Sequence, residues 1–136
     1  MNDPIEISDG LSRHLFENIT GGLTVVLENS DKIPDRPYLF CEITPVSSTD
    51  ETLDGTGATD DGFFVVTVVS ESGQFLNPGL EIAKEVRALF TYGRRFPLTK
   101  AEMTIMKPPD IEKGFRDGFD WRIPVRVTYQ ACRNEL

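Results

Sequence analysis

The chain has 136 residues, 39% of them hydrophobic and 10% aromatic, and carries a formal net charge of −8. That apolar content is enough for a real core and exceeds what an acidic disordered tail holds. The acidic balance argues against an autonomous nucleic-acid binder, which needs a basic surface to neutralise phosphates.

Asp3, Pro4 and Glu6 predict a helix start, with Asp3 as cap, Pro4 at the first position and Glu6 as reciprocal cap. Ile7, Leu11, Leu15 and Ile19 recur every four residues and form its buried stripe, and Gly21 and Gly22 stop it. Gly10 inside this run is worth about 1 kcal/mol less than alanine. Leu23–Leu27 predicts a short strand, and Pro34 and Pro37 keep residues 28–37 from forming a helix. Tyr38–Val46 predicts a second strand, with Leu39, Cys41 and Ile43 on one face and Tyr38, Phe40 and Glu42 on the other.

Ser47–Asp61 has almost no apolar content and predicts a long polar surface loop between two antiparallel strands. Its acidic residues do not follow the alternating spacing of a calcium loop. The following run Phe63–Val69 is aromatic and β-branched, the composition of a strand in the middle of a sheet. The period then changes. Ile82, Val86, Leu89 and Phe90 fall on one stripe of a helix capped by Asn77, with Pro78 in its first turn.

Tyr92, Gly93, Arg94 and Arg95 predict a basic turn at the helix end. Ala101–Met106 predicts a strand broken by Pro108 and Pro109, and Ile111–Phe115 a short edge strand or turn. Asp117-Gly118 is a tight-turn signal. In the last strand, Asp120–Ala131, Trp121, Ile123, Val125, Val127, Tyr129 and Ala131 alternate with polar residues, so the apolar face lies against the helices. Pro124 in this strand favours an edge or a non-bonded position, and Arg122 and Arg126 share the other face. The reading is α+β: one two-layer domain over residues 1–136, a mixed, mainly antiparallel β-sheet packed against two α-helices.

Charge is unevenly spread: residues 1–61 hold 13 acidic and 3 basic residues, residues 62–136 hold 9 acidic and 11 basic. Copies showing different faces would stack acidic against basic. Cys41 and Cys132 read as buried free thiols, and the N-terminus has no signal-peptide pattern, so a reducing cytoplasm is the default. No apolar run is long enough to span a membrane. There is no phosphate loop, dinucleotide fingerprint, nucleophile elbow or zinc-protease motif, and His14 is the only histidine. The expectation is a non-enzyme with no cofactor and no metal.

The order and wording of several segments resemble the tail terminator proteins of long-tailed bacteriophages and prophages, closest to a small phage-related branch. They are Val25-Val26-Leu27-Glu28-Asn29, then Arg36-Pro37-Tyr38-Leu39, then Gly62 opening the hydrophobic strand. The helix ending in Leu89 and Phe90 follows, and Trp121, Ile123, Val125, Val127 and Tyr129 close the pattern. One departure is the stretch Gln74–Pro78 between Gly73 and Gly79, where the family often has a glycine-rich turn. The resemblance implies a structural role: a ring, commonly a hexamer, on the head-proximal end of the tail tube. Such a ring stops further addition of tube protein and offers a surface to head-completion or connector proteins. It is assembled in the bacterial host cytoplasm and retained in the virion tail. Candidate assembly contacts are Asp50, Glu51 and Asp54 in the acidic loop, Arg87, Tyr92, Arg94 and Arg95 at the basic turn, and Arg122 and Arg126. The polar loop would order on docking. Another head–tail connector or minor tail component is the alternative within the same setting, and a small ligand- or peptide-binding module the alternative outside it.

Overall fold

A computed structural model describes residues 3–28, 30, 33–50, 58–73, 78–99 and 101–133. Helix α1 runs Pro4–Asn18, and the Asp3 side chain accepts a hydrogen bond from the Ile5 N–H at 2.9 Å, so the predicted cap is present. Glu6 does not return the bond to the cap. Its carboxylate accepts instead from the backbone N–H and hydroxyl of Thr99, tying the helix start to a distant turn. Ile7, Leu11 and Leu15 are buried, as their four-residue spacing requires.

Gly10 lies on the packed side of α1. A Cβ there would meet Met103 Cε at 3.6 Å and Leu98 Cδ2 at 4.0 Å, which is ordinary van der Waals contact. Gly10→Ala is therefore expected to stabilise the protein by about 0.5–1 kcal/mol, through helix propensity and a less mobile unfolded chain. A rise in the urea midpoint at unchanged slope checks it, and a fall would show that the helix cannot tolerate the added methyl.

The strands are β1 (Thr24–Leu27), β2 (Tyr38–Asp50), β3 (Ala58–Glu71), β4 (Arg95–Pro97), β5 (Ala101–Ile105), β6 (Asp110–Ile111), β7 (Phe115–Asp117) and β8 (Asp120–Arg133); helix α2 (Pro78–Leu89) lies between β3 and β4. They form one sheet in the order β1-β2-β3-β8-β5-β4, with β6 and β7 also paired to β8. Among the described residues only the β1–β2 pair is parallel. The Phe63–Val69 run sits inside the sheet with partners on both sides, as its composition predicts.

The predicted loop over Ser47–Asp61 is corrected. Residues 47–50 continue β2 and 58–61 belong to β3, paired from Ser47 opposite Asp61 to Asp50 opposite Ala58. Backbone pairing needs no apolar side chains, so this two-sided polar extension is invisible to hydrophobic patterning. A register shift between Pro45 and Ser47 marks a bulge. The Asn77 cap and residues 51–57 lie outside the described residues.

Both helices cover one face of the sheet. The core joins Ile7, Leu11 and Leu15 of α1, Ala83 and Val86 of α2, and the inward residues Leu39, Cys41, Phe64, Val66, Val68, Ile123, Val125 and Val127. Phe90 is fully buried at the end of α2, with ring contacts to Phe64, Phe96 and His14. On the opposite face Val26, Tyr38 and Val69 make a small second cluster with Phe40.

Pro124 is in an interior strand, so the edge option is excluded and the non-bonded option holds. Its carbonyl accepts from Glu112 N–H at 2.9 Å, but it has no N–H to return. The Asp110–Ile111 pairing stops there. From Ile111 to Phe115 the chain advances four residues while β8 advances three, Val125 to Arg122, and the extra length includes Gly114. A Cβ on Gly114 would stand 2.7 Å from the Trp121 ring, so the indole needs glycine at this crossing. Thus the predicted edge segment Ile111–Phe115 divides into two strands. The Asp117-Gly118 signal becomes the β7–β8 hairpin, with Gly118 at φ 61°.

Candidate assembly surface

The strand order converts the charge asymmetry of the sequence into a spatial one. Within the sheet, the acidic first 61 residues supply β1, β2 and the start of β3 at one end of the strand order, and the basic remainder supplies β8, β5, β4, β6 and β7 at the other. Helix α1, although it comes from the acidic part, packs against Phe96, Leu98, Thr99 and Met103 of the basic part. On the acidic side β1 covers only Tyr38–Cys41 of β2. From Glu42 onward that edge of β2 has no partner strand among the described residues, and Pro45 and the bulge interrupt its regularity. The backbone of Asp50 closes the described part of β2, while Glu51 and Asp54 lie outside the described residues.

On the basic side, Arg87 and Tyr92 come together. With Lys84, Ala88, Thr91, Pro108 and Pro109 they line a cleft of about 430 Å³ at the C-terminal end of α2. Helical spacing places Lys84, Arg87 and Ala88 on one side of α2, and the turn after Phe90, with Gly93 at φ 83°, brings Tyr92 beside them. Lys107 pairs with Asp110 at 2.8 Å on the flank, and this hydrogen bond, foremost, holds the Asp110 carboxyl below its usual range.

Arg94 and Arg95 are not part of that cleft. Arg94 lies over the Phe96 ring at 5.7 Å, and Arg95 pairs with Glu102 at 3.3 Å across β4–β5. The predicted basic turn ends sooner than its sequence suggests, because Arg95 already starts β4. Arg122 and Arg126 do share the helix-free face of the sheet, but they are paired rather than merely solvated. Arg122 meets Asp117 at 3.2 Å and Asp120 at 3.3 Å. Arg126 meets Glu112 at 3.2 Å and lies over the Phe63 ring at 5.1 Å.

Sequence reasoning missed Arg36 as a clamp. Its guanidinium donates to the Phe119 carbonyl at 2.7 Å and pairs with Asp120 at 3.2 Å, fastening the segment before β2 to the β7–β8 hairpin. No local pattern signals a contact between residues so far apart in the chain. The thiols are also divided. Cys41 is buried, which pushes its pKa up to about 12, but Cys132 is exposed. The correction for Cys132 follows from parity: it falls on the face of β8 opposite Ala131, near the strand end, where no helix covers it.

His14 serves the fold. Its Nε2 is 2.7 Å from the Leu89 carbonyl at the end of α2, so Nε2–H donates and Nδ1 accepts from the Asn18 side-chain amide at 3.2 Å. Burial is the main cause that lowers its pKa; the Leu89 carbonyl opposes this, Arg94 adds to it and Glu17 opposes it. The unfolded imidazole therefore takes up its proton at a higher pH than the folded one. This contribution to stability is complete above about pH 6.5, the ordinary imidazole value, and is lost as pH falls below it. The stability advantage over His14→Gln is expected to shrink between pH 7.5 and 5.5 in urea titrations. Parallel curves for the two proteins would remove His14 as the group responsible.

A family model described as phage tail terminator protein matches residues 6–129. The chain belongs to the phage tail terminator family. Two solved structures show the same fold as this terminator. One, of a protein carrying only a reference label, has a TM-score of 0.79 at 19% identity, covering 96% of each chain. The other, from the virion of a native gene transfer agent particle, has a TM-score of 0.58 at 14% identity, covering 98% of this chain and 87% of that one. A search among curated proteins finds no match. The terminator is a structural phage protein rather than an enzyme. Its landmark residues have physical tasks here: Arg36 is the clamp, Gly62 makes room for Tyr129, and Phe90 joins both helices to the sheet.

Proposed function

We propose that this terminator closes with copies of itself into a ring, a hexamer as is common in the family, on the head-proximal end of the tail tube. There it ends tube growth and presents a surface to the head-completion or connector protein. Assembly takes place in the host cytoplasm, and the ring stays in the virion tail. The observation that carries this reading is that the strands of the acidic and basic parts of the chain lie at opposite ends of one sheet's strand order. A closed ring needs a heterologous interface, in which two different surfaces of one protomer meet the complementary surfaces of its neighbours. The acidic β2 edge and the basic α2 cleft are suited to that role. The paired Arg122 and Arg126 fit a face that meets protein or water without the unpaired positive charge that grips phosphate.

The test is polymerisation of tube protein with increasing amounts of terminator. Elongation is expected to stop at amounts far below one terminator per tube subunit, because only ends are bound. Tubes that grow to the same length distribution with or without it would contradict the proposal.

A further inference from the structure

We propose that the cleft at the C-terminal end of α2 receives the acidic tip of the β2–β3 hairpin, residues 50–57, from a neighbouring copy. The inference rests on the ring reading above and names the surfaces that would make its contact. The cleft offers Ala88, Tyr92, Pro108 and Pro109 as apolar walls, with Lys84 and Arg87 as its cations. Among the described residues Arg87 forms no ion pair and Lys84 reaches only Glu81, at 3.9 Å with both side chains exposed. Such a pair holds little energy and yields readily to a better partner. Tyr92, 69% exposed, is a large ring presented beside those two charges.

The tip has the complementary chemistry. Residues 50–57 read DETLDGTG: three carboxylates at Asp50, Glu51 and Asp54, one apolar residue at Leu53, and no cation. The carboxylates suit Lys84 and Arg87, and Leu53 suits the apolar walls. A molecule's own tip cannot fill its own cleft. Pro109 adjoins Asp110, which pairs with Arg126, while the hairpin leaves the sheet beyond Cys132, which pairs with Thr59. Those six steps along β8 span about 20 Å at ~3.3 Å per residue. The near wall is still about 17 Å away: Gly93, beside Tyr92, donates to the carbonyl of Ile105, which pairs with Tyr129, so it lies three steps (~10 Å) along β8 and three strand spacings (~14 Å) across from Thr59. The segment between Asp50 and Ala58 must go out and return, so it reaches about 14 Å at most. The occupant is therefore a second copy. Because tip and cleft are different surfaces, each copy gives one and receives one, the arrangement a ring requires.

The test is site-directed cross-linking in full-length chains carrying Cys132→Ser. Adding Asp54→Cys and Ala88→Cys together is expected to give a covalent ladder up to the ring under mild oxidation, and either alone none. Assemblies of wild-type mass without a ladder would overturn the contact while leaving the ring reading intact. If the wild-type chain forms no assemblies in solution and caps no tubes, both the contact and the ring reading are overturned.

Charge reversal supplies a second readout, with thermal melting used to confirm folding. Lys84→Glu with Arg87→Glu, or Asp50→Lys with Glu51→Lys and Asp54→Lys, is expected to raise the concentration needed for assembly about tenfold or more. Mixing the two reversed proteins is expected to restore assembly, because each tip then meets a cleft of opposite charge. Assembly unchanged by either reversal, or not restored in the mixture, would overturn the proposal.

Discussion

Phe90→Ala is expected to lower the unfolding free energy by about 3–5 kcal/mol, the cost of removing a buried phenylalanine and leaving a cavity. Phe90 is fully buried and holds three parts of the molecule at once. It meets Phe64 of β3 at 5.7 Å between ring centroids, His14 of α1 at 5.2 Å and Phe96 of β4 at 6.4 Å. The neighbours belong to separate elements, each anchored by other core residues, so they cannot all move inward to fill the space. Against a total stability of about 5–15 kcal/mol for an ordinary domain, the loss is large. Urea unfolding with the slope held constant measures it, and a loss below about 1 kcal/mol would mean that the aromatic cluster is not the joint between the layers.

Gly62→Ala is expected to cost about 1–3 kcal/mol, and Gly62→Val more, although both are stronger strand formers than glycine. A Cβ at Gly62 would stand 2.5 Å from Tyr129 Oη and 2.7 Å from the Thr44 carbonyl oxygen. Gly62 pairs with Tyr129 in the β3–β8 register, and the tyrosine ring lies over the space a side chain would take. The ring could turn aside, but the Thr44 carbonyl is backbone of the adjoining strand and moves only with it. Tyr129→Leu in the Gly62→Ala background should therefore recover part of the loss and not all of it. A neutral Gly62→Ala would show that the β2–β3–β8 crossing has slack.

These two sites show how legibility varied along the sequence. Phe90 stood out because α2 has a regular stripe that ends on it. The inward face of β8 was equally plain, since six apolar residues alternate without interruption. The Ser47–Asp61 strands were hidden, because their side chains are polar on both faces and only backbone pairing holds them. Strands β4, β6 and β7 are two or three residues long, too short for a period to show. The reason for Gly62 could not be read at all, since it lies in a tyrosine 67 positions away that registers opposite it. Among the candidate contacts, the gathering of Arg87 and Tyr92 followed from helix geometry and a turn. The pairing of Arg122 and Arg126 with carboxylates of β7, β8 and the β6–β7 segment required the sheet register.

The most direct test of the terminator reading is negative-stain imaging of purified tail tubes mixed with the protein. The account predicts an annular density at one end of each tube and none along its length. Tubes with bare ends at saturating protein, or with protein bound along their sides, would contradict it.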